Sequence, residues 1–214
     1  MGKQVKKVIK IITIIFWVFI IGSVFGFFAE MLYSTIFTRT LVIRKGLIYG
    51  PFIQIYGVGA VAYYLLISNV KEPKEAFIYG MIMGGILEYI GSFLQEILFG
   101  TISWDYSNMF FNLNGRTSLL YCFYWGIIAV AYLKIVYPWL KSIEPLLHKL
   151  SVKIFTVFLA LFMTFDIGIS CMAAARQEER RKDIPPKNSL DEFIDKAYPD
   201  EYLDKIYNNK KNVE

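Results

Sequence analysis

The sequence predicts an all-α membrane bundle of about five spanning helices, and three observations carry that expectation. Hydrophobic residues make up 56% of the 214 positions and charged residues only 19%, where a soluble domain carries about 25% charge. The mean hydropathy is +0.44. The charge is also unevenly placed: residues 176–214 hold nine Lys/Arg and ten Asp/Glu, leaving fourteen bases and eight acids for the other 175 residues. A surface so poor in charge suits lipid rather than water. Finally, five apolar runs reach the length of about 20 residues that crosses a hydrocarbon core.

Those runs are residues 11–33, 47–68, 76–100, 117–137 and 152–175. The first follows Lys3, Lys6, Lys7 and Lys10. It is longer than the apolar region of a signal peptide, about 7–15 residues, and no A-x-A site follows it, so it reads as a retained helix. The link 69–75 is short and polar around Pro73, and 138–151 has room for an interfacial helix between Pro138 and Lys149. The links 34–46 and 101–116 mix aromatics, glycine and single charges. Irregular backbone of that kind is tolerated at membrane depth only where it is buried in protein or lines a cavity.

The composition breaks at Arg176, dividing the chain into a helical bundle, 1–175, and a charged tail, 176–214. Pro185 and Pro186 interrupt any helix in the tail, and Leu190, Phe193, Ile194 and Ala197 then recur at helical spacing. Ser189 as N-cap and Glu192 three residues later would form a capping box. The alternative is a solvated tail that orders only against a partner or a membrane surface. The basic start places the N-terminus inside, with the tail outside after five spans, although Arg39, Arg44, Lys45 and the arginines of the tail count the other way.

The first two spans echo the next two. Gly22, Gly26, Glu30 and Ser34 recur 58 residues later as Gly80, Gly84, Glu88 and Ser92. Gly46, Gly57 and the run from Ala60 to Tyr63 recur 69 residues later as Gly115, Gly126 and Ala129 to Tyr132. Two helices per copy make this a parallel repeat, related by an axis along the membrane normal.

Residues four apart share a helix face, so Gly22, Gly26, Gly80 and Gly84 read first as packing positions for a neighbouring helix. The glutamates differ, because an ionisable group in a span normally faces an interior or a water-filled path. Glu30, Glu88 and Asp166 are therefore candidate ligand or ion groups, with Arg44 and Arg116 as cations able to bind a carboxylate through paired hydrogen bonds. Asp105, Asn114 and Arg116 could form a polar mouth in the second long loop, whose Trp104 and Tyr106 otherwise read as interfacial anchors. Such a charge cluster suits a solute site or a structural ion pair equally.

Other classes lack signals. No phosphate-binding G-x4-G-K-[ST], H-E-x-x-H or G-x-S-x-G occurs. Two cysteines, Cys122 and Cys171, and the lone His148 suggest neither a disulfide framework nor a metal site, and no cofactor is expected. The net charge of +5 is concentrated beside apolar runs, where lipid headgroups rather than nucleic acid are the expected partner.

Together these residues resemble a bacterial family, the CmpB-like ABC-transporter type IV permeases. The likeness rests on Glu30, Arg44, Gly46, Gly50-Pro51, Tyr56-Gly57 and Glu88. It continues through Trp104-Asp105-Tyr106-Ser107, through Asn112 to Arg116 and through the region from Asp166 to Arg180, and covers about residues 15–181. Gln54 stands where that pattern usually has proline. The resemblance implies a transport component working with an ATPase on a separate chain. The expectation is thus a multi-pass permease-like subunit of the cell membrane, self-associating or not, with a buried acid–arginine site. The alternatives are a non-transport assembly factor or sensor with a structural charge cluster and, more remotely, an enzyme acting on lipid.

Overall fold

A 36-residue helix, α1 (Lys3–Thr38), opens the computed structural model, which describes residues 2–213. At 1.5 Å per residue it is about 54 Å long, more than enough to cross a hydrocarbon core of about 30 Å. It stops where Arg39 takes a left-handed conformation, φ 58°. Three further helical stretches are long and apolar enough to cross a membrane: α3 (Pro73–Phe99), the stretch Leu119–His148, and α6 (Leu150–Arg181). Between α1 and α3 lies the shorter α2 (Gln54–Leu66), 13 residues long.

The expected second span, 47–68, is therefore helical only in its later part. Gly50 sits at φ 69° and Ile53 is extended, φ −122° and ψ 105°, so the helix begins only at Gln54. The extended stretch finds its partners within the protein. The Gly46 N–H donates to the Phe52 carbonyl at 2.9 Å, and the Ile53 N–H to the Ser23 carbonyl at 3.1 Å. From α6, Ser170 Oγ accepts the Ile48 N–H at 3.0 Å and Asp166 Oδ1 accepts the Tyr49 N–H at 3.1 Å. The Gln54 carboxamide, in the place where the related pattern has proline, donates to the Gly46 carbonyl at 3.0 Å and ties the loop to the start of α2. With Leu47 and Ile48 buried, this is irregular backbone enclosed by protein.

The fourth stretch begins as α4 (Leu119–Ala131), capped by the Ser118 hydroxyl. It widens to a π turn over Tyr132–Val136, resumes as α5 (Tyr137–Ile143) and ends in a 3-10 turn, Glu144–His148. The wide turn just precedes Pro138, whose ring and missing N–H disrupt the ordinary ladder. The helix thus runs past the expected end at 137.

α1 packs on α2, and α3 on α4, through matching close approaches. A Cβ on Gly22 would lie 2.6 Å from Ala60 Cβ, 2.9 Å from the Tyr56 carbonyl and 3.2 Å from Gly57 Cα. A Cβ on Gly80 would meet Ala129 Cβ, the Trp125 carbonyl at 2.9 Å and Gly126 Cα at 3.2 Å. The same holds one turn on, where Gly26 lies under the Tyr56 ring and Gly84 under Trp125. Positions equated by the 69-residue spacing also meet each other: Tyr63 and Tyr132 with ring centroids 5.5 Å apart, Tyr56 and Trp125 at 6.2 Å.

Short strands finish the end of the bundle where α1, α3 and α6 terminate. β2 (Asn112–Leu113) and β3 (Thr117–Ser118) form a hairpin turning at Asn114 and Gly115. β1 (Thr101–Ile102) pairs antiparallel with β4 (Lys211–Asn212) at the end of the tail. The tail itself folds as α7 (Ser189–Ala197) and α8 (Asp200–Ile206). Ile194, Tyr198, Leu203 and Ile206 are buried with Ile48, Ile169 and Ala173. Asn188, one residue before the expected Ser189, caps α7, because its side-chain oxygen reaches the N–H groups of Leu190 and Asp191 at 2.9 and 3.0 Å. Arg176 pairs with Asp195 at 2.6 Å and Arg180 with Asp200 at 2.5 Å, fixing α7 and α8 to the end of α6.

Candidate functional site

Glu30 and Glu88, the matching acids of the two helix pairs, line one cavity of about 140 Å³. Arg44, Lys45, Tyr56, Trp104 and Trp125 line it too, and Asn209 reaches it from the tail. α1 ends just beyond Glu30, and the chain turns back through the buried loop that carries Arg44 and Lys45. α3 supplies Glu88 near its middle. The cavity therefore lies between the pairs, at the end of the bundle covered by the tail.

The two acids are held differently. Glu30 Oε1 accepts the Tyr56 hydroxyl at 2.8 Å, and Oε2 accepts Arg44 Nη1 at 3.2 Å. Glu88 is buried, 6% exposed. Its Oε2 accepts the Thr117 hydroxyl at 2.9 Å and its Oε1 the Tyr106 hydroxyl at 3.4 Å. Among the described residues no Lys or Arg pairs with Glu88 within 4.0 Å, and Lys45 pairs with no acid. The Nε of Arg44 is buried without a hydrogen-bond partner. The cavity thus holds one acid and one base beyond the Glu30–Arg44 pair.

Arg116 does not partner Glu88. Thr117, the first residue of β3, faces Glu88, while Arg116, the last residue of the hairpin turn, reaches toward α3 instead. There its Nη1 pairs with Glu96 Oε2 at 2.5 Å, and its guanidinium lies 5.8 and 5.4 Å from the Tyr89 and Phe93 ring centroids. The bonded Glu96 carboxylate holds the Arg116 pKa above its ordinary value. The Arg116 carbonyl accepts Trp104 Nε1 at 2.8 Å, which positions that ring. Asp105 stays in its loop, where the Ser107 N–H at 2.9 Å keeps its carboxyl below the usual range. Asn114, at φ 55°, forms the hairpin turn. The expected polar mouth of Asp105, Asn114 and Arg116 does not line the cavity. Asp166 is fully buried but serves the Tyr49 N–H and the Ser170 hydroxyl, apart from the cavity. Gly22 and Gly26 lie against Ala60 and Tyr56 of α2, and Gly80 and Gly84 against Ala129 and Trp125 of α4.

Lys45, Tyr56, Trp104, Trp125 and Asn209 are among the lining residues that sequence reasoning missed as ligand candidates. Tyr56 and Trp125 carried a usable signal, since each precedes a matched glycine at the 69-residue spacing. Asn209 carried none, because only docking of the tail brings it there. A second cavity, of about 220 Å³, lies between α6 and the tail and is lined by Gln54, Gln95, Ser170, Arg181 and Lys210. Burial, reinforced by nearby Arg181, lowers the Lys210 pKa from its ordinary value. Among the described residues no group of three or more His, Cys, Asp and Glu is placed to hold a metal ion.

No curated protein and no solved structure matches the chain. A family model described as "Putative ABC-transporter type IV" matches residues 17–171. That stretch contains every residue named above as lining the Glu30–Glu88 cavity except Asn209, and most of the tail lies beyond it. With most of its length matched in this way, the chain belongs to the family described as "Putative ABC-transporter type IV".

Proposed function

We propose that this chain is a multi-pass subunit of a cell-membrane transporter that binds a small polar solute in the cavity between its two helix pairs. One observation supports it above the rest: the two glutamates at matching places in the pairs line the same cavity, where Glu88 has no cationic partner among the described residues. An unpaired acid in a span is expensive and suits a pathway or binding site. We read the pairs as an internal duplication related by an axis between α2 and α4, since positions equated by the 69-residue spacing meet there. A site on such an axis can open to either side as one pair rocks against the other. The chain has no nucleotide-binding motif of its own, so the energy would come from an ATPase on another chain. On this reading the site binds and does not catalyse.

The test uses full-length protein reconstituted in proteoliposomes with its ATPase partner, scored for solute uptake, and detergent-solubilised protein scored for solute-induced thermal stabilisation. Glu88→Gln is expected to abolish both responses and Glu30→Gln to reduce them, with both variants folded. Unchanged uptake and stabilisation in both folded variants would refute the proposal. The reading with a purely structural cluster draws on the Glu30–Arg44 pair. It predicts that Arg44→Met lowers stability while solute responses are absent even in the unaltered protein.

A further inference from the structure

The polar cavity has an apolar neighbour. A groove of about 440 Å³ shares Tyr56 and Trp125 with it and continues along Ile21, Phe25, Gly59, Tyr63, Ile128 and Tyr132. Phe25 and Ile128 are exposed, 67% and 43%, so the groove opens outward. Its lining extends from Trp125 to Leu140, roughly 20 Å at the helical rise. That exceeds the roughly 15 Å of half a hydrocarbon core. A groove of this kind can hold a hydrocarbon chain that reaches from the interface toward the bilayer centre.

The cavity at its end offers charges of both signs. Glu88 is buried without a cation, beside the aromatic side chains of Tyr56, Trp104 and Trp125. A carboxylate among aromatic rings suits an ammonium group. Among the described residues no acid lies within 4.0 Å of the Lys45 ammonium, and the Nε of Arg44 has no acceptor. These two cations suit a phosphate, for which arginine provides a planar fork.

We propose that cavity and groove together bind one amphiphile, a lipid whose head carries an ammonium and a phosphate, with the head among Glu88, Arg44 and Lys45 and the chain along Gly59 and Tyr63. This deepens the solute-site reading and rests on it, since it takes the cavity as a ligand site and adds the class of ligand.

Binding is measured on the full-length protein in a neutral maltoside detergent, as the shift in thermal unfolding midpoint against ligand concentration. The ligands are myristoyl lysophosphatidylethanolamine, phosphoethanolamine without a chain, and myristoyl lysophosphatidylglycerol, which lacks the ammonium. The first is expected to bind at least about tenfold more tightly than either of the others, because each buried methylene adds affinity. Glu88→Gln should weaken both ammonium ligands. Gly59→Leu fills the groove without a backbone collision, since a Cβ there would lie 3.6 Å from Trp125 Cζ3. It should weaken the amphiphile tenfold or more and leave phosphoethanolamine unchanged. Ile128→Trp serves the same purpose should Gly59→Leu lack a cooperative unfolding transition.

If phosphoethanolamine binds as tightly as the amphiphile and both groove variants are silent, the lipid inference fails while the polar-solute reading stands. If the lysophosphatidylglycerol binds equally well, the ammonium assignment fails and the inference with it. If no ligand binds and Glu88→Gln changes nothing, both readings fall. Cross-linking of two copies through Ile128, lost in Gly59→Leu while lipid binding persists, would make the groove a dimer contact and overturn the proposal.

Discussion

Replacing Arg176 with alanine should release the tail from the bundle. Arg176 leaves the end of α6 with its side chain only 4% exposed. Its Nε and Nη2 donate to Asp195 at 3.1 and 2.6 Å, and its Nη1 donates to Glu179 at 2.5 Å. A hydrogen bond to a charged group contributes about 1.5–3 kcal/mol net. Neither acid is stranded by the change, because Asp195 keeps Arg180 and Glu179 keeps Lys187. The loss should therefore stay near that of the two-pronged Asp195 contact, about 2–4 kcal/mol. At about 1.4 kcal/mol per factor of ten, the undocked tail should become roughly 30- to 1,000-fold more populated. Hydrogen exchange reads this directly, with amides of α7 and α8 compared against those of α3 in the same molecule. Lys187→Ala is the control. Its side chain is 63% exposed, and an exposed pair is worth less than about 1 kcal/mol. Unchanged exchange at Ile194 and Leu203 in Arg176→Ala, or equal effects of the two variants, would refute the reasoning.

Three further outcomes are expected. The bonds from Arg176 and Arg180 hold the Asp195 carboxyl below its ordinary range, so the docking it supports is fully present above about pH 4, the unfolded value. It should be lost as pH falls below that through the folded value, as α7 exchange or proteolysis between Lys182 and Lys187 would report. Gly22→Ala and Gly80→Ala should each destabilise by about 1–3 kcal/mol through overpacking in denaturant or thermal unfolding. Gly168→Ala, whose Cβ would have no neighbour within 4 Å, should be neutral or stabilising by up to about 1 kcal/mol. Thr117→Val keeps the side chain's shape but removes the donor 2.9 Å from Glu88. It should cost about 1–3 kcal/mol of stability in the same assay, whereas Ser107→Ala on the exposed loop should change little.

Much of the bundle was legible in the sequence, because lipid demands long uninterrupted apolar runs and leaves a strong signal. The close approaches were legible for a similar reason. Glycines four apart can only share a helix face, and those at 22 and 26 sit against α2 and those at 80 and 84 against α4. The interrupted second span was marked by Gly46, Gly50 and Pro51, yet its apolar residues still read as a full crossing. Hydropathy does not distinguish an apolar helix in lipid from an apolar loop enclosed by protein, as Leu47 and Ile48 are.

Site membership was harder to read. The sequence named Glu30, Glu88 and Arg44, since each is a charge beside an apolar run. It equally named Arg116 and Asp166, which the structure places on Glu96 and on the Tyr49 amide. Composition and spacing fixed how many charges lie near the membrane and on which helix faces. Only the tertiary structure decided which of them meet. The hairpin placed Arg116, in its turn, on Glu96 and Thr117, at the start of β3, on Glu88, and docking of the tail carried Asn209 to the cavity. Pairing of buried charges depends on distances of a few ångströms between segments far apart in the chain, and such distances leave no periodicity in the sequence.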